Sequence, residues 1–293
     1  LYTMRYDGNY TRATLPLTGE NRATPRAMPV APTWACSLFA ALGDNQNLFY
    51  GRNFDWDSSP AVLLFTDPPD GYASVSMVDI AYLGFEGDRA HTLPDLPLSE
   101  RVGLLDAPFW PFDGMNEQGV AVGMAAVPSG QMHPDPNKET VGSLGVVREI
   151  LDHAREVDEA VDILQSYNID FRGGPDLHYL IADRSGRAAL VEFYEGEMVI
   201  TPNQAAWHLA TNFLRAPAGA SAEGVCWRYD KLNERLAQAN GCLDDQAAMA
   251  LLNEVSQAGT QWSIVYGLTS CEVDVVMGRE YGSPRLFHLS TSK

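Results

Sequence analysis

Basic residues are scarce in this chain. Lys and Arg number 20 against 38 Asp and Glu, for a formal net charge of −18. That balance argues against broad electrostatic binding to nucleic acid or to an anionic membrane surface, which needs clustered cations; it favours solubility. Long apolar runs are missing too, none reaching the roughly 18 residues of a membrane-spanning helix. Cysteine is rare. Cys36, Cys226, Cys242 and Cys271 are the four, and their spacing fits no metal site. The six histidines, His91, His133, His153, His178, His208 and His288, are scattered. Glycine-rich phosphate loops, CxxC pairs and HExxH helices do not occur. No cofactor and no metal is therefore expected. Ser290-Thr291-Ser292-Lys293 spells S-x-x-K, but it stands at the C-terminus without its partner motifs and reads as chance.

Apolar residues are plentiful, at 45% of 293 positions, enough to core one large domain or two small ones. Residues 1–35 differ from the rest. They carry Pro16, Pro25, Pro29 and Pro32 and little periodicity, so they read as an extended arm laid on the body or left mobile. A propeptide would sit here; an ordinary N-terminal arm is the alternative. The chain opens at Leu1, which is consistent with a removed signal peptide or anchor. A secreted or extracytoplasmic location is the first expectation and a cytoplasmic one the alternative. Asn9-Tyr10-Thr11 is a glycosylation sequon that matters only in a eukaryotic secretory pathway. Export would also allow a disulfide among Cys226, Cys242 and Cys271, with free thiols as the other reading.

From Cys36 onward, strand-like and helical patterns alternate in blocks. Strands are expected at Ser37–Leu42, Leu48–Phe54, Val62–Phe65, Ala73–Val78 and Gly119–Val127, later at Leu177–Asp183, Ala188–Tyr194, Glu197–Ile200 and Trp207–Thr211, and last at Ser263–Leu268 and Val273–Met277. Helical spacing of apolar residues marks Leu144–Ala154, Val157–Tyr167, Val225–Leu236 and Asp244–Val255, the last with Asp244 as N-cap. This order predicts an α+β fold. Residues 79–113 form a long connection with a bulky patch, Leu104, Leu105, Phe109, Trp110 and Phe112. It either faces substrate or folds over a sheet edge.

The sharpest local signal is a hairpin. Cys36 opens an apolar run, Gly43-Asp44-Asn45-Gln46-Asn47 turns the chain, and Leu48–Phe54 returns to Asp55. Such a return brings Arg52 and Asp55 back beside Cys36. A thiol near a guanidinium and a carboxylate can be ionised, oriented and used as a nucleophile. The bland alternative for Arg52 and Asp55 is a surface ion pair.

Arg52 and Asp55 follow Cys36 by sixteen and nineteen residues, and Asn116, within Asp113-Gly114-Met115-Asn116-Glu117-Gln118-Gly119, follows it by eighty. Thr211-Asn212 ends a strand, and Arg228 lies on the following helix. In these features the chain resembles the N-terminal-nucleophile hydrolases that act on linear amides, the group of choloylglycine hydrolases, penicillin V acylases and acid ceramidases. The resemblance covers roughly residue 36 to the C-terminus. It implies a four-layer αββα sandwich of two antiparallel sheets flanked by helices, over residues 36–293.

The resemblance also implies catalytic roles for Cys36, Arg52, Asp55, Asn116, Asn212 and Arg228. Cleavage before Cys36 frees an α-amine that serves its own thiol as base. Arg52 lowers the thiol pKa, Asp55 holds the amine, and Asn116 and Asn212 donate to the oxyanion. Arg228 steadies Cys36 or the amine, its bland reading being a helix-surface ion pair with Asp230 or Glu234. Taken alone, Asn116 is also an ordinary turn residue. An apolar acyl group is assigned to Trp56, Leu64, Phe65, Phe109 and Trp110. The expected partner is a small N-acyl amide, cleaved through a Cys36 thioester. Acyl transfer to an amine and a catalytically dead binding protein are the alternatives.

Overall fold

The computed structural model describes residues 1–6, 9–10, 35–56, 59–218 and 222–290. Most of the expected arm, residues 7–8 and 11–34, therefore lies outside the described residues.

Sixteen strands follow in chain order among them: β1 (Tyr2–Tyr6), β2 (Ala35–Ala41), β3 (Phe49–Asp55), β4 (Ala61–Thr66), β5 (Ser74–Asp79), β6 (Asp113–Asn116), β7 (Ala121–Ala126), β8 (Thr140–Gly142), β9 (Asn168–Asp170), β10 (Leu177–Ala182), β11 (Ala188–Tyr194), β12 (Glu197–Pro202), β13 (Trp207–Ala210), β14 (Thr260–Gly267), β15 (Glu272–Met277) and β16 (Arg285–His288). The helices are α1 (Gly87–His91), α2 (Gly145–His153), α3 (Val157–Ser166), α4 (Arg215–Ala218), α5 (Trp227–Gln238) and α6 (Asp245–Glu254).

Eight strands form one sheet in the order β1-β4-β5-β6-β7-β10-β11-β12, and six form a second in the order β13-β2-β3-β14-β15-β16. The two sheets stack, β2 against β7. Helices α2 and α3 cover the outside of the larger sheet, and α5 and α6 the outside of the smaller. This is the expected αββα sandwich. Both main sheets are antiparallel apart from one pair, β1 beside β4. The β2–β3 hairpin intervenes between the two strands in sequence, leaving the long connection that a parallel pair requires. The arm thus starts as a strand on the body. Tyr10 is buried as well, its hydroxyl donating to Asp152 Oδ1 at 3.1 Å.

Strand alternation sorts the core. On β4, Ala61, Leu63 and Phe65 turn into the main core, whereas Val62 and Leu64 turn outward, as a period of two demands. The outward pair packs under the connection 79–113, a chain of short 3₁₀ turns and α1. That connection folds over the sheet face, with Trp110 and Ala107 buried on it. Helix α6 begins as expected at Asp244, whose carboxylate accepts from the Ala247 N–H at 2.7 Å. All four cysteines are free thiols. Among the described residues no helix is long and apolar enough to cross a membrane, and no three metal-ligating side chains cluster.

Candidate active site

The register of the β2–β3 hairpin builds the site. Cys36 pairs with Phe54, Leu38 with Arg52, and Ala35 with Asp55. Cys36 and Arg52 therefore share the inner face as diagonal neighbours. One Arg52 nitrogen lies 3.8 Å from Cys36 Sγ. Asp55 falls on the opposite face, across from Ala35, beside the bond expected to break. Its carboxylate accepts from Thr260 Oγ1 at 2.5 Å and Gln257 Nε2 at 3.2 Å, while its backbone N–H serves the Cys36 sulfur.

The backbone around Cys36 is held from the other edge of β2. Its N–H donates to Asn212 Oδ1 at 2.6 Å. Arg228 donates to the Cys36 carbonyl, to Ser37 Oγ at 3.0 Å, and to Asn212 Oδ1 at 3.0 Å. Two donors thus meet one side-chain atom of Asn212, which fixes that atom as its oxygen. The Asn212 nitrogen spends one hydrogen on the Ala126 carbonyl at 2.8 Å. Its second hydrogen takes part in none of these bonds. In the uncut chain Asn212 Oδ1 accepts the Cys36 backbone N–H, while Asp55, expected to hold the α-amine freed by cleavage, lies across from Ala35.

Burial changes the expected thiol chemistry. Desolvation pushes the Cys36 thiol above its ordinary value, outweighing the downward pull of Arg52. In the uncleaved chain the thiol is protonated at neutral pH. Burial likewise raises Asp55, against the hydrogen bond from Thr260. Arg52 is not half of a surface pair with Asp55. It is fully buried and ion-paired with Asp113 Oδ2 at 2.5 Å, and it also donates to the carbonyls of Phe112 and Met124. Trp262 Nε1 and Tyr266 Oη complete the shell of Asp113 at 3.2 and 2.5 Å.

Asp113, to which motif reading gave no role, is the buried counter-ion of Arg52. It stands at the head of the segment Asp113–Gly119, three residues before the asparagine assigned to the oxyanion. The structure does not bring Asn116 to the cluster. Its amide donates to the carbonyls of Leu151 and Ala154 at the end of α2, and its oxygen accepts from the N–H groups of Gln118 and Val120. Asn116 closes a turn that ends at Gly119, whose φ is 74° and where a Cβ would come within 2.3 Å of the Leu268 carbonyl. Asn116→Ala is accordingly expected to lower stability by about 1–3 kcal/mol, since two buried carbonyls lose their donor, with kcat within a few-fold of wild type. Thermal melts and steady-state rates check this.

The acyl-pocket residues divide between the two sides of the larger sheet. Trp56 stacks on Phe54 at 5.9 Å, and Phe65 faces the main core. Leu64, Phe109 and Trp110 face the outer cluster instead: alternation along β4 turns Leu64 away, and Phe109 and Trp110 sit on the far side. Of the aromatic patch, Phe112 reaches the site side, 5.2 Å from Phe54.

Residues 107–260, slightly over half of the chain, match the model of the acyl-coenzyme A:6-aminopenicillanic acid acyl-transferase family. The chain belongs to this family. The match takes in Asp113, Asn116, Asn212 and Arg228, while Cys36, Arg52 and Asp55 precede it. Solved structures share the fold of this acyl-transferase family member. Penicillin V acylase from Agrobacterium tumefaciens superposes with a TM-score of 0.56 at 17% identity, covering 86% of this chain and 84% of that one. A variant of conjugated bile acid hydrolase from Clostridium perfringens gives 0.63 at 15% identity, covering 86% and 92%. A second variant of that hydrolase gives 0.58 at 14% identity, covering 87% and 92%. No curated protein matches the sequence.

Proposed function

We propose that this chain is a cysteine amidohydrolase of linear, non-peptide N-acyl amides, activated by cleavage of the Ala35–Cys36 bond. The observation that carries the reading is the Cys36 nitrogen on Asn212 Oδ1 at 2.6 Å, with the sulfur of the same residue 3.8 Å from Arg52. After cleavage that nitrogen is an α-amine, with a pKa of about 7.7–8, already held by an acceptor. It takes the thiol proton as sulfur attacks the substrate carbonyl, and it returns that proton to the departing amine. Water then resolves the thioester by the reverse sequence. The second Asn212 amide hydrogen supports the oxyanion of each step. No histidine is needed as base, and among the described residues Arg52 is the side chain that hydrogen-bonds the sulfur.

Acyl transfer is the second reading, favoured by the description of the matched family. The thioester is common to both; the acceptor differs. One experiment covers them. Bile salt conjugates, penicillin V, N-acylethanolamines, ceramides and acyl-homoserine lactones are incubated with the protein, with and without a competing primary amine. Amine release and the mass of Cys36 are then read. Release with an acyl adduct on Cys36 is expected. Conversion to a new amide only when the amine is added would favour transfer, and absence of any adduct would support a binding protein.

A further inference from the structure

A buried histidine lies in the layer that holds the site, and the proposed chemistry leaves it unused. A Cβ at Gly123 would meet Tyr50 Oη at 2.8 Å and Leu38 Cδ2 at 2.9 Å, so that position on β7 faces the second sheet. Ala125, two residues on, faces the same way. His178 pairs with Ala125 across β7 and β10 and shares that inner face. On the second sheet Leu38 pairs with Ala210 and Arg52, which puts Cys36 and Asn212 one step further along, level with Ala125. Asn212 in turn donates to Ala126. His178 is thus the neighbour of the strand position to which the site is tied.

Its orientation is set by Glu192. Glu192 Oε1 lies 3.2 Å from His178 Nδ1, and both side chains are fully buried. The same carboxylate accepts the N–H groups of Arg215 and Ala216, each at 2.7 Å, at the start of α4 just beyond Asn212. With three donors on one carboxylate, Nδ1 is the ring nitrogen committed to Glu192, and Nε2 is the one that points away from it. Among the described residues, Nε2 is buried and has no partner. A buried acceptor without a donor costs roughly 1–3 kcal/mol. Such an atom calls for an explanation.

We propose that His178 Nε2 accepts the N–H of the scissile amide, so that this site prefers secondary amides to esters. The proposal rests on the amidase reading above. The substrate supplies the missing donor, and an ester, which lacks it, leaves the nitrogen unpaired.

The test is a cycle on three chromogenic substrates with one acyl chain: a 4-nitroanilide, its N-methyl counterpart and the 4-nitrophenyl ester. His178→Asn keeps a donor toward Glu192 and removes the Nε2 acceptor. It should lower kcat/KM for the anilide by about 10-fold or more, leave the ester within twofold, and leave Tm and Cys36 titration by iodoacetamide unchanged. N-methylation should cost the wild type a similar factor, and the two losses should not add. Should H178N fail to fold, His178→Gln replaces it; Gln keeps an acceptor near Nε2, so its anilide preference should survive. Equal losses on anilide and ester, no loss on either, or additive losses would overturn the role of His178. Wild type that hydrolyses none of the substrates would instead overturn the amidase reading itself.

Discussion

Cys36→Ala is expected to abolish turnover, to below about 10⁻³ of wild type, and to leave the chain uncut before residue 36. Loss of a nucleophile cannot be shared out among its neighbours, because the covalent step has no other path. The proposed nucleophile is Cys36 because of its surroundings. Arg52 approaches its sulfur, Asn212 its nitrogen and Arg228 its carbonyl. Among the described residues, Cys226, Cys242 and Cys271 have no such set. The variant should fold, since Ala removes a single buried sulfur. Its Tm should stay within a few degrees, and its Asn212–Arg228 contacts should persist. Undiminished turnover in C36A would remove the thioester from the account.

The second large effect is expected at Asp113. Asp113→Asn leaves the Arg52 guanidinium charged and buried without its counter-ion. Breaking a buried pair from one side costs about 3–5 kcal/mol, which for a chain of this length lowers Tm by on the order of 10 °C. Arg52 is also the group that faces Cys36 Sγ, so cleavage before Cys36 and turnover should fall together with stability. The amide nitrogen would further confront donors from Arg52, Trp262 or Tyr266. Unchanged melting and unchanged rates in D113N would show that Arg52 does not depend on this pair. The contrast with Asn116→Ala, which should affect stability and spare kcat, separates the two halves of the Asp113–Gly119 segment.

Much of the architecture was legible in the sequence because it rests on local patterns. Apolar runs of strand length marked β2 and β3 to within two residues and β11 to the residue, and the cap at Asp244 marked the start of α6. What escaped were short elements without a periodic signal. β6 covers four residues of a motif that reads as a turn, and β1 lies in an arm that gives no sign of the partner it pairs with. The cluster was partly legible for the same reason. Cys36 and Arg52 come together through hairpin register, a local property. Asp113 reaches Arg52 through stacking of two sheets, and nothing in a linear spacing announces that contact. The same limit misplaced Asn116, whose turn chemistry prevailed over the expected catalytic role. It also misplaced Leu64, Phe109 and Trp110, because an apolar residue does not declare which face of a sheet it covers. Burial acted on the thiol in the opposite sense to the neighbouring charge, and only the fold reveals how completely Cys36 is enclosed.

The central claim is that Cys36 works as an N-terminal residue. The β1–β4 pairing and the buried Tyr10 give the arm a hold on the body, so a cut arm should stay bound under native conditions and separate only on denaturation. The direct measurement is the intact mass of active protein after denaturation. Two chains are expected, the longer one beginning at Cys36 and the shorter one ending at Ala35. Fully active protein that shows a single mass, with residues 1–35 still joined to Cys36, would contradict the claim and require a different base for the thiol.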